Sequence, residues 1–289
     1  MREIEDYFSS TSKTLYHYTG VGSLVNIVQS QEIFATHAYY LNDSREITYA
    51  TSQLISAAAE FNSCQDKVER ELLAQFIKWL DRLTQPLPLF IFSLSEQASL
   101  LSQWRSYTPH GKGVSIGFSS ELIQALTGLN ECRLAKCLYD RTQHVEVVRS
   151  LLEKLFVSFR RERDELDISK EHAPTCYHKF FEKILGNLLQ VLSIIKHPSF
   201  AEEQEWRVVS TYRPVLRNAK IEYREGSSML IPYTRLKLQI PPDEKFLFEG
   251  VVMGPSPDQN LAMTSLGTFL RVNNVSNHLS NCAIPYRKW

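Results

Sequence analysis

The chain has no surplus of either charge: Lys and Arg total 32, Asp and Glu total 32, and the formal net charge is +0. That balance removes a whole-molecule electrostatic argument for nucleic acid and leaves only a local basic groove. No apolar run approaches the roughly 18 residues that would span a bilayer. Met1-Arg2-Glu3-Ile4-Glu5-Asp6 is acidic and lacks an apolar stretch, so it does not read as a secretory signal. Cys64, Cys132, Cys137, Cys176 and Cys282 are odd in number and contain no CxxC spacing. They read as free thiols in a reducing cytoplasm, not as disulfides or a metal cage. Gly111 and Gly113 precede a strand and lack the GxxxxGK[ST] spacing, which excludes a Walker loop. Ser93 and Ser95 lack a GxSxG elbow, and His172 and His178 are spaced neither for one helix face nor for a zinc signature.

What is present suits a globular chain. At 289 residues, 43% hydrophobic and 22% charged, it can bury a sizeable core. Short β-branched and aromatic runs predict strands at Leu15–Thr19, Ile33–Thr36, Leu89–Leu94, Val114–Phe118, Ala135–Tyr139 and Trp206–Val209. Further strands are expected at Met229–Tyr233, Arg235–Ile240, Phe246–Met253 and Ile284–Arg287, with a basic hairpin around Arg213–Arg224. Apolar periodicity predicts helices from Ser23, as N-cap, to about Gln31, from about Ser44 to Leu83 with a break near Asn62-Ser63, and over Ser99–Tyr107, 119–127 and Asp258–Val272. The longest helical material falls between 141 and 197. The expected architecture is α+β: one domain over 1–289 with an interrupted sheet and a helical insert at about 141–197.

The chain reads as organised around Phe200–Val209. A strand ending at Trp206-Arg207-Val208-Val209 would put Glu203, Glu205 and Arg207 on one face and Gln204, Trp206 and Val208 on the other. Two carboxylates and a guanidinium at the mouth of a core strand need a reason, because an unpaired buried charge is expensive: a surface strand with solvated charges, an Arg–Glu ladder, or a catalytic glutamate.

Several motifs carry a resemblance in order along the chain: Leu15-Tyr16-His17-Tyr18-Thr19, Tyr40-Leu41-Asn42-Asp43, Phe92-Ser93-Leu94-Ser95, Gln103-Trp104-Arg105-Ser106-Tyr107 and Gly113–Phe118. Glu203–Arg207, Val252-Met253-Gly254-Pro255 and Ile284-Pro285-Tyr286-Arg287 follow. Together they resemble the bacterial domain-of-unknown-function family number 2971, from about residue 15 to 287. In addition, His17-Tyr18-Thr19 followed by a glycine, a short helix and Ile33–Thr36 looks like the opening of ADP-ribosyltransferase toxins that modify thymidine in DNA. Gln31-Glu32 stands where those enzymes carry a glycine-containing turn.

This second resemblance implies an ADP-ribosyltransferase-like split-sheet core with NAD as substrate. It also implies a nucleic-acid or protein acceptor and a toxin or phage-defence role with an antitoxin or regulatory partner, while the lack of a long apolar run argues for no membrane partner. Glu205 would be the catalytic carboxylate, and Glu203 would orient the acceptor. His17, Tyr18, Thr19 and Asn42 would line the NAD pocket, Arg105 (or Arg45) would clamp the pyrophosphate, and Trp104 and Tyr107 would stack on a base. A carboxylate facing the cation that develops on the ribose suits such glycosyl transfer. Plainer roles stand beside these: His17 as a hydrogen-bonded core histidine, Trp104 and Trp206 as core, Asn42-Asp43 as a helix cap, and Arg105 with Glu205 as a structural ion pair. Water as acceptor would make the chain a glycohydrolase, and the same residues holding a ligand without turnover would make it a nucleotide-sensing or interaction module.

Overall fold

The computed structural model describes residues 4–41, 46–108, 113–163, 173–212 and 220–284. The expected site residue Asn42, its neighbour Asp43, the alternative clamp Arg45 and the expected terminal strand from Pro285 onward lie outside the described residues.

In chain order the elements are β1 (Leu15–Gly20), α1 (Val21–Ser30), β2 (Glu32–His37), α2 (Glu46–Ala59), α3 (Lys67–Leu80), β3 (Phe90–Ser95), α4 (Leu101–Tyr107) and β4 (Gly113–Phe118). There follow α5 (Ser120–Leu129), β5 (Cys132–Lys136), α6 (Arg141–Glu162), α7 (Ala173–Leu192), β6 (Glu205–Ser210), β7 (Glu222–Glu225), β8 (Leu230–Lys237), β9 (Gly250–Met253), α8 (Gln259–Val272) and β10 (Leu279–Asn281). The class is α+β, as the alternation of strand and helix patterns implied.

All the described strands join one mixed sheet in the order β10-β9-β4-β1-β3-β2-β8-β7, with β6 on the other side of β3 and β5 beyond β6. β3 is where this sheet divides. On one side it pairs with β6 from Ile91↔Val209 to Ser95↔Glu205. On the other it pairs with β2 at Phe90 and Ile91 and with β1 only at Ser95. Between those contacts β1 and β2 diverge, and Ser93 faces the gap.

The period-2 alternation of the strands sorts their side chains onto two faces. Phe90, Phe92 and Leu94 of β3, Trp206 and Val208 of β6, and Leu15 of β1 pack with α1, α5 and α8. Ile91 and Val209 point the other way, into a core built largely from α2, α3, α6 and α7. The 141–197 insert therefore packs not alone but with the helices of 46–80. The four helices cover one face as a layer, and each contributes apolar residues at helical spacing, such as Leu72, Phe76, Trp79 and Leu80 of α3.

Several boundaries differ from the sequence expectation. α1 starts at Val21, two residues before Ser23, with Gly20 as an extended N-cap that offers no side chain. The two strands expected on either side of Thr234 are one strand, β8, running through Pro232. Pairing with β2 begins at Tyr233, so the missing amide of Pro232 breaks no bond to β2. β5 lies earlier than expected because its ladder with β6 ends at Lys136↔Trp206 and Leu138 turns off to bridge Ile195. β9 is shorter because the Phe248 amide bonds the Val275 carbonyl (2.8 Å) and not a strand.

Candidate functional site

Five ionisable side chains meet on the helical face of β6. Arg207, 1% exposed, donates from Nε to Glu205 Oε1 (2.9 Å) and from Nη2 to Glu205 Oε2 (3.0 Å), a two-point grip on the carboxylate. Its Nη2 also reaches Glu46 Oε2 at 2.6 Å, and its Nη1 donates to the Ser193 carbonyl. The ammonium of Lys196 sits among three carboxylates, 2.5 Å from Glu203, 2.6 Å from Glu205 and 3.2 Å from Glu46. Cys137 Sγ donates to Glu205 Oε2 at 3.6 Å, and the Glu205 amide donates to the Tyr139 hydroxyl at 3.0 Å.

Local backbone explains the convergence. A short 3-10 turn, Pro198–Glu203, ends at Gln204, whose φ of 44° is left-handed. That conformation is uncommon for a side chain without special reason. It turns the chain from the helical turn into β6 between Glu203 and Glu205, so the two carboxylates approach one ammonium from successive elements. Gln204 is held in place by the Glu96 amide on its carbonyl (3.1 Å) and by Gln97 Nε2 on its side chain (2.8 Å).

The electrostatics separate the two glutamates. Burial alone would raise the Glu205 carboxyl, but the charges and hydrogen bonds of Arg207 and Lys196 outweigh it and hold the group well below the usual carboxylate range. Glu203 moves the other way: burial raises it, and Lys196 counters only part of that. Burial also opposes the charge on Lys196, yet the carboxylates of Glu205, Glu46 and Glu203 keep it an ammonium. With every group ionised, Glu46, Glu203 and Glu205 exceed Lys196 and Arg207 by one negative charge. The cluster is least covered at Glu203, whose side chain is 12% exposed, and beside it at Tyr107, 37% exposed. Burial and then the negative charges of Glu203 and Glu205 raise the Tyr107 phenol. Phe200 lies beneath the Lys196 ammonium, 5.1 Å from ring centroid to nitrogen.

Of the residues expected at the site, Glu203, Glu205 and Tyr107 come together. Tyr18 and Trp104 lie on the same side of the sheet but pack on each other, ring edge to face at 4.8 Å. Trp104 is fully buried, donates to Ser99 Oγ (3.1 Å) and closes against Gly254, where a Cβ would meet its ring at 2.9 Å. It is core, not a stacking platform. Trp206 is core as well, on the opposite side of β6, with its indole N–H on Glu96 (2.9 Å). Arg105 is exposed on α4, and the cations that grip Glu205 are Arg207 and Lys196.

His17 and Thr19 are not brought to Glu205. The register Tyr16↔Ser95↔Glu205 puts Tyr16 on the Glu205 side, so the alternate residues His17 and Thr19 face away. The His17 ring instead lies against Phe92, centroids 4.5 Å apart, and bonds the Ser93 carbonyl at 3.0 Å. Because that oxygen can only accept, Nδ1 carries the proton. Burial holds the imidazole near a pKa of about 4, so it is neutral at physiological pH.

Glu46 and Lys196 were not found from the sequence. Lys196 did leave a signal, as a single cation ending the apolar run Val191–Ile195. Glu46 left none, because it reaches the cluster from a helix about 160 residues away in sequence.

Residues 103–208 match the family described as "Protein of unknown function (DUF2971)". The match is narrower than the resemblance drawn over 15–287: it runs from α4 through β6, and includes every member of the cluster except Glu46. No curated protein and no solved structure matches the chain. Among the described residues no helix is long and apolar enough to cross a membrane, and no group of His, Cys, Asp and Glu is arranged to hold a metal ion.

Proposed function

We propose that the chain cleaves the nicotinamide–ribose bond of NAD and transfers ADP-ribose to a nucleic acid or protein, as a cytoplasmic toxin or phage-defence effector held in check by a partner. One observation carries the reading: Glu203 and Glu205 share the Lys196 ammonium while their surroundings push their carboxyls in opposite directions. Carboxyl pairs separated in this way divide acid–base and electrostatic work between them.

In the proposed step the glycosidic electron pair leaves with the pyridinium nitrogen, which departs as neutral nicotinamide. Glu205 stays ionised, and the surplus negative charge of the cluster stabilises the cation on the ribose more than the ground state. Glu203, at the open edge, takes the proton of the attacking hydroxyl or amine. The aromatic side chains beside that edge, Tyr107 and Phe200, supply the surface for the planar ring. His17 and Thr19 have no part in this version. The division of the sheet at β3 supports a split-sheet core.

The test is labelled NAD with single-stranded DNA, RNA or lysate, comparing the native chain with Glu203→Gln and Glu205→Gln. Label on an acceptor, reduced at least 100-fold in Glu203→Gln while the variant stays folded, supports transfer. Nicotinamide release with only free ADP-ribose makes the chain a glycohydrolase. A second reading, a nucleotide-binding or interaction module without turnover, is favoured by Glu205 itself, 6% exposed with both oxygens engaged. Saturable NAD binding with no nicotinamide release in any preparation would establish that reading and end the first.

A further inference from the structure

A cavity of about 330 Å³ lies away from the Glu205 cluster, between the N-terminal segment, α5 and the edge strand β5. A water occupies about 30 Å³, so the space holds roughly ten waters or one small metabolite. Ser9, Ser10 and Ser120 line it with hydroxyls, Gln124 with an amide, and Arg133 with a guanidinium. The N-terminal segment is tied to β5 through the Ser9 amide on the Leu134 carbonyl (3.0 Å).

Arg133 is the unusual member. Its guanidinium lies over the Phe8 ring, 5.1 Å from the centroid, and its Nη1 is closed off from solvent with no hydrogen-bond partner. A charged donor left in that condition is costly, and a planar fork supported on an aromatic ring is suited to an oxyanion. The carboxylate that also lines the cavity, Glu5, is paired with Lys154 at 3.3 Å and feels the Arg133 charge without a hydrogen bond to it.

We infer that this cavity binds a small phosphorylated, hydroxyl-rich metabolite, with its phosphate on Arg133 and its hydroxyls on the serine-lined wall. Contact between Nη1 and the ligand requires the guanidinium to shift over the Phe8 ring. This site goes beyond the glycosyl-transfer reading and does not depend on it.

Thermal-shift titrations with ribose 5-phosphate, with inorganic phosphate, and with NaCl at matched ionic strength test it. A saturable rise in Tm with the sugar phosphate, absent with NaCl and at least tenfold weaker in concentration with inorganic phosphate, is expected. Arg133→Gln should abolish the rise. Gln124→Glu, at an exposed position on α5, should weaken binding at least tenfold by setting a carboxylate at the cavity without touching the core. Equal shifts in the native chain and both variants, or no saturable shift at all, overturn the site. Loss of the shift in Glu205→Gln also overturns it, because the ligand would then sit at the glutamate cluster. Inorganic phosphate matching the ester would overturn the role of the hydroxyls.

Discussion

The imidazole of His17 donates from Nδ1 to the carbonyl of Ser93, 3.0 Å away, at the point where the sheet divides. Parity along β3 explains why that carbonyl needs a donor. The Glu96 amide bonds the Gln204 carbonyl, so even-numbered residues of β3 direct their backbone groups toward β6 and odd-numbered ones toward β1 and β2. Ser93 is odd and lies between the stretch paired with β2 and the one paired with β1. A side chain does there what a neighbouring strand does elsewhere.

His17→Ala therefore removes both a donor to a backbone acceptor and a ring packed on Phe92. The expected loss is about 2–4 kcal/mol, read as a lower urea midpoint at unchanged m. Any NAD turnover per folded molecule should stay within about twofold of the native value. A turnover loss without a stability loss would return His17 to the substrate.

Acid should weaken the fold in a defined order. Burial holds His17 and His37 near a pKa of about 4 in the folded chain, against 6.5 when exposed. His37 must stay neutral at Nδ1, which accepts from the Tyr39 amide. A lowered histidine pKa means the unfolded chain binds the proton first, so this stability is complete above about pH 6.5 and lost as pH falls toward 4. Glu205 and Glu96, the latter held down at about 2, add a carboxylate loss below about pH 4.5. Glu203 opposes them: its raised carboxyl favours the fold at low pH, and that contribution fades as pH rises through its folded value. Urea midpoints at pH 7.5, 5.5 and 4.5 should fall in sequence, and His37→Gln should flatten the first interval.

The buried cluster should respond to the removal of one partner more than to a charge-neutral change at its edge. Arg207→Met leaves Glu205 and Glu46 short of a cation in the interior, for an expected loss of about 3–5 kcal/mol. Glu203→Gln keeps the shape, lies at the open edge and removes the surplus negative charge, so it should change stability by less than about 1 kcal/mol. A loss below about 1 kcal/mol in both variants would show that the cluster is less buried than its geometry indicates.

Gln204 offers a backbone test. Gln204→Val sets a β-branched residue at a φ of 44° and should cost about 1–3 kcal/mol. Gln204→Gly relieves the conformation but loses the side-chain bond to Gln97, so its stability should be closer to native. If valine were tolerated as well as glycine, the left-handed turn would not be what brings Glu203 to Lys196.

The sequence by itself determined the α+β class, most element positions, and the one-face arrangement of Glu205 and Arg207, because these follow from 2.0 and 3.6 periodicities within a few residues. It also marked Glu203 and Tyr107 as residues of interest. Tertiary structure decided the rest. Whether His17 meets Glu205 depends on the register across β1, β3 and β6, which no local pattern encodes, and that register puts them on opposite faces. Glu46 and Lys196 join the cluster only because α2 and the end of the 141–197 segment pack on the same face of the sheet. The two carboxylates that sequence spacing offered as a catalytic pair are, in the folded chain, two of three held by two buried cations.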